Sequence, residues 1–131
     1  MRFNKEQPIY QQIIDDIKVK IVNGTYSTGF KLPSIREYAE EMLVNPNTVQ
    51  KAFSELERED YIHSKRGIGF FVNEDEELIN RLKKKYLNDE VDVFIEKMSS
   101  FGFSKSEIIE KVKEKLWLDS MKFLKYIIME H

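Results

Sequence analysis

The sequence predicts a mainly α fold with one small β-hairpin, built as an N-terminal helix-turn-helix unit and a C-terminal helical hairpin. Three features predict it. Isoleucines recur every fourth residue near the start, helix-start signatures follow one another at Ser34 and Asn45, and two β-rich runs flank Lys65-Arg66-Gly67.

Pro8 stands where a first-turn proline is tolerated, and Ile9, Ile13, Ile17 and Ile21 mark one face of an amphipathic helix, with Tyr10 and Ile14 alongside. Asn23-Gly24 should stop it with a left-handed cap before the turn-rich stretch Thr25 to Gly29. Ser34 and Glu37 form a capping box for a two-turn helix, Ile35 to Met42, whose Ile35, Tyr38, Ala39 and Met42 share a face. Leu43-Val44 breaks the phase. Asn45-Pro46 then reads as N-cap plus first-turn proline for a third helix, with Val49, Ala52, Phe53 and Leu56 inward.

Tyr61 to Ser64 and Ile68 to Val72 predict an antiparallel hairpin with a basic tip, and the acidic stretch Asn73 to Glu77 suits the positive end of the next helix dipole. The domain boundary is placed there, giving domains 1–73 and 74–131. Leu78, Leu82, Leu87, Val91, Phe94, Ile95 and Met98 then continue at helical spacing, as one long helix or two abutting ones. Ser99 to Phe103 reads as a turn, and Ser104 with Glu107 as the capping box of a last helix carrying Ile108, Ile109, Val112, Leu116, Met121, Leu124 and Ile128.

Composition narrows the function. A chain of 131 residues accommodates one ordinary domain or two small pieces, so function is expected on surfaces more than in a deep cavity. With no cysteine there is no thiol nucleophile or thiolate metal site, and His63 and His131 are the only imidazoles. Neither a metal nor any other cofactor is expected. No apolar run approaches the roughly 18 residues of a membrane span, and Met1 to Glu6 lacks a secretory signal's apolar stretch, so a soluble cytoplasmic protein without a membrane partner is expected. Neighbouring acids such as Asp15-Asp16 and Glu40-Glu41 diverge on a helix and make poor acid/base pairs, and no phosphate cradle, nucleophile elbow or zinc spacing is present. An enzyme is not expected.

Charge is silent about partners, with ten basic and ten acidic residues through Asn73. Placement says more. Once its apolar face is turned inward, the third helix presents Asn47, Thr48, Gln50, Lys51 and Ser54, groups able to hydrogen-bond base edges or phosphates. The plainer reading is that Asn45 and Thr48 cap a helix above solvated surface, and that Arg36 pairs with Glu40. Lys83-Lys84-Lys85 is read as a solvated helix face.

The runs Leu32-Pro33-Ser34-Ile35-Arg36-Glu37, Asn47-Thr48-Val49 with Leu56-Glu57, and Gly67-Ile68-Gly69-Phe70-Phe71-Val72 occur in order over Pro8 to Val72. Together they resemble the winged helix-turn-helix domain of the GntR family of bacterial transcriptional regulators. The resemblance implies a recognition helix, Asn45 to Glu59, in the major groove of double-stranded DNA and a wing, Lys65 to Gly69, at the minor groove. By position it implies base or phosphate contacts from Ser34, Arg36, Asn45, Asn47, Thr48, Gln50 and Lys51, with Lys65, Arg66 and Gly67 at the wing. Pro46 and Gln50 depart from relatives that carry Arg or Ser, and Arg, at these sites, so a different base preference is expected, with Arg36 the larger source of guanine readout.

The C-terminal length and helical pattern resemble the small YtrA-like subgroup, whose tail is a two-helix dimerisation module. A homodimer on an inverted-repeat operator, acting as a repressor, is therefore expected, with Val91, Phe94, Ile95, Met98, Leu116, Trp117, Leu124 and Ile128 at the dimer interface. The residues name no small-molecule effector. The tail aromatics fit a core or dimer interface better than an effector pocket, and a winged helix serving as a protein-interaction adaptor is the rival reading.

Overall fold

Ile13, Ile17 and Ile21 line the inner side of α1 (Ile9–Val22) in the computed structural model, which describes Phe3 and residues 5–130. Met1, Arg2 and Asn4 of the leader read from Met1 to Glu6, and the terminal imidazole of His131, lie outside the described residues. Pro8 occupies the N-cap of α1, and Gly24, with φ +83°, supplies the left-handed exit.

Helix α2 (Ile35–Met42) begins at the predicted capping box. The Glu37 N–H donates to Ser34 Oγ at 3.1 Å, and the Ser34 N–H donates to Glu37 Oε1 at 3.3 Å. Helix α3 (Pro46–Arg58) follows a three-residue turn and buries Val49, Ala52, Phe53 and Leu56 completely. Phe53 meets Tyr38 of α2 edge-on at 6.0 Å and Phe70 of the hairpin at 5.1 Å, so one ring ties together three elements. Tyr38, itself buried, donates its hydroxyl to Asp16 of α1 at 3.2 Å. Burial and the neighbouring carboxylate push that phenol's pKa well above its ordinary value.

Strands β1 (Ile62–Lys65) and β2 (Gly69–Val72) form the antiparallel hairpin, with Ile62 opposite Val72 and Lys65 opposite Gly69. The sequence reading put Ile68 in the second strand and Lys65 in the turn. Instead, the Ile68 N–H donates to the Lys65 carbonyl at 2.9 Å, which closes the loop after Lys65 and leaves Ile68 within it. A feature absent from the sequence reading is an isolated bridge from the Phe30 to Leu32 segment to the outer side of β2. The Leu32 N–H donates to the Phe70 carbonyl at 2.9 Å and the Val72 N–H to the Phe30 carbonyl at 2.8 Å, with Lys31 opposite Phe71.

Helix α4 runs unbroken as Glu76–Ser100, one long helix, its first turn capped by Asp75, whose Oδ1 accepts from the Glu77 and Leu78 N–H groups. Helix α5 is Lys105–Glu130, entered through the predicted Ser104 and Glu107 box. By packing, the chain divides into Met1–Lys85 and Tyr86–His131, because Ile79 and Leu82 at the start of α4 join the N-terminal core. Within the second unit, α5 buries none of its residues, and Phe94, Leu116, Trp117, Phe123, Leu124 and Ile128 lie exposed. Phe94 and Met98 face Phe103, Ile108, Val112 and Leu116 across an open apolar cleft of about 440 Å³. Among the described residues no helix is long and apolar enough to cross a membrane.

Candidate nucleic-acid interface

The four buried residues of α3 fix which way that helix faces. Asn47, Gln50, Lys51 and Ser54 are left exposed, with Thr48 half-buried between the two sides. Asn45 caps the helix, its Oδ1 accepting from the Asn47 N–H at 2.8 Å. That use occupies the carboxamide oxygen and leaves the amino group as a donor for a phosphate. Ser34 is likewise a cap, its Oγ accepting from the Glu37 N–H at 3.1 Å and its side chain engaged with the Glu37 carboxylate. Gln50 Nε2 donates to Ser54 Oγ at 3.3 Å, a long exposed bond that yields cheaply to a base edge.

The cations are less free than the sequence reading assumed. Arg36 Nε donates to Glu40 Oε1 at 3.1 Å, the (i, i+4) pairing weighed as the plainer alternative. Lys51 folds back toward α1, its ammonium 3.8 Å from the centroid of the Tyr10 ring. Lys65 pairs with Glu74 Oε1 at 3.0 Å and lies 4.5 Å from the centroid of the Phe71 ring. That hydrogen bond and the ammonium charge hold the Glu74 carboxyl below its ordinary value. Arg66 is exposed and, among the described residues, makes no ion pair.

At the hairpin tip Gly67 has φ +77°, which glycine adopts without the Cβ clash of other residues, and an added Cβ would meet nothing within 4 Å. The tight Lys65 to Ile68 turn therefore projects Arg66 and Gly67 outward. The arrangement offers donors and acceptors on one exposed helix face and a slender basic tip, suited to binding. Candidate residues Ser34 and Arg36 sit at the start of α2, Asn45 to Lys51 on the first turns of α3, and Lys65 to Gly67 on the hairpin, all within the first unit.

The family model described as bacterial regulatory proteins of the gntR family matches residues 9–72, the span holding all but one of the buried core residues. The chain is also 38% identical over 112 residues to the HTH-type transcriptional regulator YhcF of Bacillus subtilis, covering 86% of this chain and 93% of that one. The chain belongs to the GntR family. It shares 49% identity over 67 residues with the HTH-type transcriptional repressor YtrA of Bacillus subtilis, about half of each chain. A GntR family transcriptional regulator from Listeria monocytogenes superposes with a TM-score of 0.78 at 41% identity, over 86% of this chain and 98% of that one. This GntR protein is thus a transcriptional regulator with a DNA-binding helix-turn-helix, YtrA-like in its relatives, and its family is one of regulators rather than enzymes. The hairpin is its wing.

Two partners of the GntR interface were missed in the sequence. Glu74 was read as part of an acidic helix start and not as a partner of Lys65, and Tyr10 as lying alongside the isoleucine face of α1. The register that puts Lys65 in β1 was the signal for the first. The second had none, because α1 and α3 are brought together by packing alone.

Proposed function

We propose that this protein is a homodimeric repressor that occupies an inverted-repeat operator, with α3 in the major groove and the wing tip at the minor groove. The observation that carries the reading is the division of α3: four wholly buried residues anchor it, and Asn47, Gln50 and Ser54 stand exposed along the other side. Arg36, Asn47, Thr48 and Gln50 specify bases. Ser34, Asn45, Lys51 and Lys65 contact phosphates, and Arg66 with Gly67 enters the minor groove.

Dimerisation is assigned to residues 74–131 and DNA binding to 1–73. Support comes from the second unit, where Val91, Phe94, Ile95, Leu116, Trp117, Leu124 and Ile128 are exposed in the single chain and Met98 is half-buried beside the cleft. An apolar surface of this extent is costly in water and is covered economically by the same surface of a second copy. Two-fold symmetry then sets two recognition helices about 34 Å apart or a multiple of it, which an inverted repeat matches. Repression requires only that the bound dimer obstruct transcription, in keeping with the repressor named among the relatives.

Sedimentation of the full chain with and without Trp117→Glu and Leu124→Glu tests the dimer, and operator titration of Asn47→Ala and Arg36→Ala tests the readout. The expected results are a monomer for the double substitution, and losses of about 1–3 kcal/mol confined to particular base positions for the single ones. Equal losses on every duplex would overturn the division of roles, and salt-independent duplex binding would favour a protein-interaction adaptor instead.

A further inference from the structure

Of the four cations assigned to DNA, Arg36 and Lys65 are each held by a carboxylate of the same chain. Glu40 takes Arg36 on the outer side of α2, and Glu74 takes Lys65 just beyond β2. Both pairs are exposed, and exposed pairs of this kind contribute little to folding. Structural need does not account for placing an acid on each of two cations that face a polyanion.

We propose that Glu40 and Glu74 are positioning residues for sequence discrimination, which keep Arg36 and Lys65 neutralised until an acceptor of matching geometry displaces the carboxylate. The inference rests on the DNA-binding reading above. Non-specific attachment to duplex DNA is almost wholly electrostatic, so a carboxylate 3.0–3.1 Å from each cation removes much of what attracts the protein to arbitrary sequence. At the operator the exchange is close to even. The O6 and N7 atoms of a guanine offer Arg36 a bidentate acceptor in place of Glu40, and a phosphate held in register by α3 replaces Glu74 on Lys65. Elsewhere the carboxylates stay on their cations, and the neutralised pairs attract phosphates little.

The test is fluorescence anisotropy of the full chain on two duplexes of equal length, one selected by the wild type from random sequence and one scrambled, at several salt concentrations. Glu40→Gln and Glu74→Gln are compared with Glu110→Gln, an equal change of charge on the exposed surface of α5. The first two variants should bind scrambled duplex about threefold to tenfold tighter near 0.1 M salt, with a log–log salt slope steeper by up to about 0.9 per cation released. Their preference for the selected duplex should fall, with thermal unfolding unchanged and with Glu110→Gln like wild type. An unchanged or increased preference in both variants, or an equal effect of Glu110→Gln, would overturn the proposal. A wild type that prefers no duplex would instead remove the DNA-binding reading beneath it, a result visible before any variant is made.

Discussion

The Lys51 ammonium of α3 rests 3.8 Å from the centroid of the Tyr10 ring of α1, a cation–π contact that ties the reading helix to the helix behind it. The contact adds to the four buried residues that fix the facing of α3. Tyr10→Leu should lower unfolding free energy by about 0.5–1 kcal/mol, with Tyr10→Phe close to wild type. Urea unfolding measures both, and equal losses for the two variants would point to the phenol hydroxyl instead of the ring face.

Leu43 sits in the turn between α2 and α3 with φ +56° and is 90% exposed. A left-handed backbone costs leucine more than glycine, and no burial offsets it. Leu43→Gly should therefore stabilise the first unit by roughly 0.5–1 kcal/mol, the relief of the Cβ clash being partly offset by the greater freedom of glycine in the unfolded chain. A lowered thermal midpoint would show that the leucine makes a contact worth more than its strain.

Gly67→Ala places a Cβ in open space but forces alanine to φ +77°. The cost, about 1–2 kcal/mol, falls on the wing turn alone. Hydrogen exchange at the Ile68 N–H, which closes that turn, should quicken while the amides of α1 and α3 keep their protection, and DNA affinity should fall with it. Uniform loss of protection would mean that the wing and core unfold together.

Glu37 completes the α2 capping box, and the hydrogen bonds from Ser34 hold its carboxyl below the ordinary 4.5. A carboxylate whose folded value is lowered adds stability that is fully present above its unfolded value and is lost as pH falls through the folded one. The increment should thus disappear on acidification below about pH 4.5. Glu37→Gln, which keeps the hydrogen-bonding shape without the charge, should flatten that part of the stability curve. An unchanged pH profile in the variant would exclude the cap as its source.

Where the local pattern and the fold agree, the sequence is readable residue by residue. Ser34 and Glu37, Asn45 and Pro46, and the apolar spacing of Val49, Ala52, Phe53 and Leu56 marked α2 and α3 because caps and helical faces are properties of neighbours. Arg36 with Glu40 was readable for the same reason. Phe30 to Leu32 was not, since a three-residue segment has no period of its own and its partner β2 lies some forty residues on. Lys51 on Tyr10 and Lys65 on Glu74 likewise depend on packing and register, and these decide which cations of the candidate interface stand free.

The most direct test of the account is selection of duplexes from random DNA by the purified full chain, followed by anisotropy titration of the enriched sequence at two salt concentrations with stoichiometry. The account predicts an inverted repeat bound by two chains, with affinity that falls steeply as salt rises. A folded dimer that enriches no motif, or binds duplex without salt dependence, would contradict it and leave the winged helix as a surface for another protein.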